Sequence, residues 1–199
     1  MTADPAAPVA DPAVDTRERC GWALSTPDYI AYHDDEWGCE LHGDDALFER
    51  MTLEGFQSGL SWLTILRKRP AFRTAFADFS IERVAAFGPD DEARLLADAG
   101  IVRNRAKIAA AIANARVAAE LPDGLDTLLW SFAPDGPRER PATLADVPAI
   151  TPESRAMASA LKKRGFRFFG PTTAYALMQA TGMVDDHVIA CWRAAEADH

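Results

Sequence analysis

The residues best suited to chemistry lie near both ends of the chain and in one segment between them. Glu54 stands in Leu53-Glu54-Gly55-Phe56-Gln57-Ser58-Gly59-Leu60-Ser61-Trp62, an apolar helical segment with Ser58, Ser61 and Trp62 on or near its face. A carboxylate among Leu53, Phe56 and Leu60 is costly unless something meets it. Such a group often faces a cleft with a shifted pKa. Pairing with an arginine is the plainer alternative. Trp62, Tyr32, Trp22 and Trp37 offer flat surfaces on which a base can stack, although core packing is the commoner task of any one tryptophan.

His187 and Cys191 are four residues apart at what reads as the start of the last helix, so both side chains share one face. His and Cys together suit zinc, which takes four ligands. Cys20 and His33 can supply the second pair from the other end of the chain. A Cys2His2 set would then tie the N-terminal segment to the C-terminal helix. Cys39 and His42 are rival ligands. A buried cysteine with two capping histidines is the metal-free alternative.

Leu161 to Cys191 reads as helix, tight hairpin, helix, short turn, helix. Gly165 stops the first helix, Phe166 to Phe169 connect, and Gly170 and Pro171 open the second. Gly182 stops it, and Asp185 or Asp186 can cap the third. A helix start behind a glycine turn presents free N–H groups to an anion such as phosphate. Lys162, Lys163, Arg164 and Arg167 surround that turn with no acid among them. With Gly170 and Thr172 they are the candidate contacts to one nucleic-acid backbone. A solvated basic end is the bland alternative.

Helices must position these groups. Asp44 or Asp45 can cap a helix through Leu47, Phe48, Met51 and Leu53 that must stop before Pro70, with a bend at Ser61. Ser80 and Asp90 open two short helices. An Ala-rich helix spans about 103 to 120, and another about 125 to 132. Pro134, Pro137, Pro141 and Pro148 punctuate an irregular connection. Thr151 caps a helix with Pro152 at its first position. No strand pattern and no repeat stands out, so the class is all-α.

The chain has 199 residues, 48% of them hydrophobic, which suits one domain or two small lobes around a shared core. A formal net charge of -9 argues against a generally basic nucleic-acid coat. Any such surface must be local: the hairpin cluster, Arg67-Lys68-Arg69, or Arg103 with Arg105 and Lys107. An acidic remainder weakens non-specific sticking. Three cysteines form no dense framework, which points to a reducing, cytoplasmic setting. No stretch approaches the roughly 20 apolar residues of a membrane span. Residues 1–17, rich in Ala, Pro and Asp, lack the features of a signal peptide and are expected to be a disordered tail, with 18–199 as the folded part.

Taken together, these segments resemble the DNA-3-methyladenine glycosylase I family of the helix-hairpin-helix glycosylase superfamily. The matching pieces are Arg19-Cys20-Gly21-Trp22, Tyr29 to Gly38, Leu53 to Trp62, Leu161 to Gly170 and Asp185 to Cys191, in the family's order. The resemblance implies an enzyme that flips a lesion nucleotide out of double-stranded DNA and cleaves its N-glycosidic bond, and the chain is expected to be a monomer. It implies a structural zinc on Cys20, His33, His187 and Cys191, and a lesion pocket formed by Glu54, Tyr32 and Trp62. A zinc-stabilised DNA-binding module without catalysis would keep the hairpin but has no need of Glu54 in an aromatic pocket. A zinc-stabilised protein-interaction domain would show no salt-dependent DNA affinity.

Two departures from the superfamily matter. Bifunctional members carry lysine after the hairpin Gly-Pro, where this chain has Thr172. Threonine forms no Schiff base, so a monofunctional enzyme without lyase activity is expected. Phe168 replaces the first hairpin glycine. Val184-Asp185-Asp186-His187 resembles the superfamily's Val-Asp-Thr-His, whose aspartate assists catalysis, so Asp185 is either a helix cap or a catalytic carboxylate.

Overall fold

Side-chain caps decide where several helices begin. Thr26, Ser61, Asn104 and Thr151 each accept the backbone N–H three residues on, from Tyr29, Thr64, Lys107 and Ser154. Each such cap contributes about 1 kcal/mol. The structure, a computed structural model, describes residues 15–136 and 139–196. Among the described residues there are ten α-helices and no strand: α1 (Pro27–Asp35), α2 (Asp44–Gln57), α3 (Trp62–Ala75), α4 (Ile81–Ala85), α5 (Pro89–Ala97), α6 (Arg105–Ala119), α7 (Gly124–Trp130), α8 (Pro152–Lys163), α9 (Pro171–Ala180) and α10 (Trp192–Glu196).

The bend expected at Ser61 separates α2 from α3. Gly43, not Asp44 or Asp45, precedes α2, and no side chain caps it. The two carboxylates reach across the fold instead. Asp44 accepts the Asp126 N–H and Asp45 the Ile81 N–H, both at 2.8 Å.

The expected stop before Pro70 does not occur, because α3 runs through it. An interior proline costs about 3 kcal/mol. Pro70 is exposed, while Ile65, Phe72 and Ala75 of the opposite face are buried. The Phe72 ring lies 4.8 Å from that of Phe56. Burial of that aromatic face outweighs the lost bond.

Helix α2 is central and packs on α3, α6, α7 and α9. One apolar core extends from Leu47 to Val184. A second, small core gathers Cys20, Val188, Cys191 and Ala194 under Trp22, Trp37 and Trp192. There the two ends of the chain meet, Trp192 N–H donating to Glu18 O at 2.9 Å; beside them Ile189 N–H donates to Pro141 O of the connection before α8 at 3.0 Å. Residues 1–14 of the expected tail lie outside the described residues. Arg17 pairs with Asp34 at 3.3 Å and lies over the Trp192 ring at 4.3 Å.

Candidate functional site

A cavity of about 460 Å³ opens between α1, α2, the start of α3 and α9. The expected residues Trp22, Tyr32, Trp37, Glu54 and Trp62 all line it. The Tyr32 and Trp62 rings are 5.4 Å apart and tilted by 49°. Trp22 stands edge-on to Trp37 at 5.2 Å. The irregular connection before α8 supplies the far wall through Leu144, Val147 and Pro148.

Glu54 is 6% exposed, and its carboxylate makes no hydrogen bond or ion pair with the described residues. Burial pushes it up to about 7, with the Arg50 charge pulling the other way. Trp62 Nε1 is buried with no partner among the described residues. An unpaired buried donor costs about 1–3 kcal/mol. A cavity with one carboxylate that accepts no hydrogen bond and one orphan N–H is therefore suited to a ligand that supplies both partners.

The cluster expected from spacing also assembles. Cys20, His33, His187 and Cys191 are all buried, and their ligand atoms lie within 4.8 Å of one another. They can hold a metal ion. The reason differs from the one the spacing suggested. Residues 187–191 are not helical, because α10 starts only at Trp192. A turn, closed by Cys191 N–H donating to Val188 O at 2.8 Å, brings His187 and Cys191 together. Gly38, at φ +79°, permits this approach: a Cβ there would meet His187 Nε2 at 2.8 Å. The rival ligands stand outside. Cys39 Sγ faces Arg193, and His42 pairs with Asp126 at 3.0 Å.

Each histidine of the cluster is held from behind. Asp34 Oδ1 lies 2.8 Å from His33 Nδ1, and Trp37 O lies 3.3 Å from His187 Nε2. Burial alone would raise Asp34, but hydrogen bonds from Arg19 and His33 hold it down at about 2. Such backing fixes ring orientation in metal sites.

Between α8 and α9 the turn forms as expected, with one unusual residue. Phe168 takes the left-handed conformation, φ +57°, at the position where glycine was expected. Asn114 of α6 clasps the turn, accepting Arg167 N–H at 2.8 Å and donating to Arg167 O at 3.1 Å. Lys162, Lys163, Arg164, Arg167, Gly170 and Thr172 are exposed around it. Thr172 also lines the cavity, so the start of α9 borders both. The other basic clusters are largely engaged within the fold. Arg67 pairs with Asp28, Arg69 with Glu36 and Arg105 with Glu92. Lys107 is buried and donates to Phe56 O and Ser58 O at the end of α2.

Asp185 caps no helix. Its carboxylate accepts the His187 N–H at 3.1 Å and Arg140 Nε at 2.8 Å, away from the cavity. Its neighbour Asp186 lines the cavity instead, held by Tyr175 O–H at 2.5 Å and Gln179 Nε2 at 2.8 Å. Sequence reasoning offered Asp186 only as a helix cap and missed Tyr175 and Gln179. Their only signal was their helical spacing.

An all-helical fold carrying an aromatic cavity with a lone carboxylate, beside a basic helix–turn–helix, has the parts of a protein that binds an extruded flat base. Residues 22–194 match the methyladenine glycosylase family, and the chain belongs to that family. It is 47% identical over 178 residues to DNA-3-methyladenine glycosylase 1 of Escherichia coli (strain K12), covering 87% of this chain and 95% of that protein. A crystal structure of 3-methyladenine DNA glycosylase I superposes with a TM-score of 0.84 at 45% identity, covering 88% of this chain and 98% of that one. A variant of 3-methyladenine DNA glycosylase I in complex with 3-methyladenine superposes with a TM-score of 0.82 at 32% identity, covering 87% and 96%.

Proposed function

We propose that the chain is a monofunctional base-excision repair glycosylase that hydrolyses the N-glycosidic bond of 3-methyladenine in alkylated double-stranded DNA. The observation that carries this is Glu54, a buried carboxylate without a partner among the described residues in an aromatic cavity. A cationic, flat base supplies what the cavity lacks. Its charge meets Glu54, its amine gives Glu54 a donor, and its face suits Trp62 and Tyr32. Neutral adenine gains less. Trp22 and Trp37 close the remaining wall.

The adjoining start of α9 supports nucleotide flipping, which costs a few kcal/mol. Backbone held by Lys162, Lys163, Arg164, Arg167 and the N–H groups following Gly170 places the base at the cavity mouth. The glycosidic electron pair leaves with the base and neutralises its cation. Water adds to the sugar carbon and releases its proton to solvent. Thr172 offers no amine for a Schiff base, so the abasic strand stays intact.

The Cys/His cluster fits zinc. Three of the four S···N distances are 3.4, 3.6 and 3.7 Å, and all four ligand atoms lie within 4.8 Å of one another. A tetrahedral zinc with ordinary bond lengths sets such edges at about 3.6 Å. Zinc held by Cys20, His33, His187 and Cys191 would cross-link the two chain ends, and four protein ligands would leave it no position for an activated water. The same reading has residues 18–199 as one domain of a cytoplasmic monomer. Chromatography of bases released from alkylated DNA tests the function. Free 3-methyladenine is expected, and DNA affinity without base release would leave only a binding module.

A further inference from the structure

We propose that Arg50 is a positioning residue of the base-reading cavity, orienting the Tyr32 hydroxyl as a donor toward the base and keeping Glu54 in its acceptor form. The proposal rests on the excision reading above and deepens it. Arg50 is 8% exposed and lies one turn before Glu54 on α2, so the two share a face. One guanidinium nitrogen donates to the Tyr32 oxygen at 2.9 Å. With that side of the phenol oxygen taken by a donor, the hydroxyl hydrogen turns away, and Tyr32 lines the cavity. Beside the orphan Trp62 N–H, the cavity then presents the Tyr32 hydroxyl as a donor and Glu54 as an acceptor. An adenine edge carries the complement, a ring-nitrogen acceptor beside an amine donor. Without Arg50 the hydroxyl is free to turn and present its lone pairs instead.

Charge points the same way. The second guanidinium nitrogen pairs with Glu36 at 3.1 Å, and Arg69 of α3 holds the same carboxylate at 2.5 Å. Two guanidinium groups therefore share Glu36, and the set is neutral only when Glu54 is ionised. The other titratable groups lining the cavity are Tyr29 and Tyr32 of α1, Tyr175 of α9 and Asp186 of the turn that follows. Burial raises Glu54, and Arg50 is the charge that opposes that rise.

The test is single-turnover release of 3-methyladenine from methylated DNA between about pH 5.5 and 9, for wild type, Arg50→Met and Arg50→Lys. In Arg50→Met the acid limb is expected to move up by about one pH unit, which is about tenfold in rate on that limb. A several-fold loss should persist at pH 9, where only the Tyr32 orientation is at stake. Arg50→Lys keeps the charge, so its limb should return close to the wild-type position while part of the loss at pH 9 remains. Should Arg50→Met fail to fold, Arg50→Gln carries the same expectation for the limb. Wild-type release by the uncharged variant at every pH overturns the proposal alone. So does an equal loss at every pH that Arg50→Lys leaves unchanged, which marks a structural role. A wild type that releases no base overturns the excision reading first, and the proposal with it.

Discussion

Trp22 and Trp37 line the aromatic cavity and also pack on the small core that holds the Cys/His cluster. Polar atoms are treated differently in these two centres. In the cluster, His33 meets Asp34, His187 meets Trp37 O, and Asp34 is gripped by Arg19 and Trp192. In the cavity, Glu54 and Trp62 Nε1 have no hydrogen-bond partner among the described residues. Paired polar atoms make a rigid joint. Unpaired ones hold back stability that a ligand restores on binding, the usual trade between stability and activity.

The cluster should therefore give the largest effect on folding. Cys191→Ser is expected to abolish stoichiometric zinc and to lower the melting temperature by more than about 10 °C, since structural zinc contributes its binding free energy to folding. Metal analysis and a thermal melt check this. Full zinc with an unchanged melt would remove the distinction between the two centres. Because the tryptophans are shared, base binding should fall with the metal.

In the cavity the sign reverses. Glu54→Gln should slow single-turnover excision by two or more orders of magnitude, the scale of losing one well-aimed electrostatic group. The same change should stabilise the fold at alkaline pH. Glu54 titrates near 7 when folded, against 4.5 as its ordinary value. Between those values the folded form holds a proton that the unfolded form releases. Wild-type stability from this group is thus full below 4.5 and is lost as pH rises through 7. Glu54→Gln should gain on the order of 3 kcal/mol at pH 8 and almost nothing at pH 4. Denaturant titrations at the two pH values decide it. A variant destabilised at both would mean that the carboxylate has a structural partner.

These two centres were legible in the sequence to different depths. The four cluster residues and Glu54 stood out by type, as did the bend at Ser61 and the cap at Thr151. Local geometry was less legible. His187 and Cys191 have helical spacing but sit on a turn, because the contacts to Trp37 and Glu18 that place them come from the far end of the chain. Pro70 signalled a stop, yet tertiary burial of Phe72 overrode it. Arg50 and Asn114 carried no pattern and Asp186 signalled only a cap, since their partners Tyr32, Arg167 and Tyr175 are defined only by the fold.

At the basic turn the effect is smaller and should depend on salt. Lys162, Lys163 and Arg164 changed together to Ala should flatten the slope of log affinity against log salt by about 2–3, since each phosphate left without its cation removes about 0.9 from that slope. An unchanged slope would place the DNA on another face.

The smallest effect is expected at Asp185, and it sharpens the comparison because Asp185 and Asp186 are adjacent but face different centres. Asp185 serves the cluster side. It accepts the His187 N–H and pairs with Arg140, and it does not line the cavity. Asparagine can still accept the His187 N–H but loses the charge on Arg140, and such partly exposed ion pairs contribute about 1 kcal/mol or less. Asp185→Asn should therefore lower stability by about that amount and leave single-turnover excision within a few-fold of wild type. Asp186 is buried in the cavity wall and accepts from Tyr175 and Gln179. Asp186→Asn disturbs two buried hydrogen bonds and should cost more in both stability and excision. A loss of two orders of magnitude for Asp185→Asn, with its melt unchanged, would transfer the transition-state charge to Asp185 and reverse the assignment of the two neighbours.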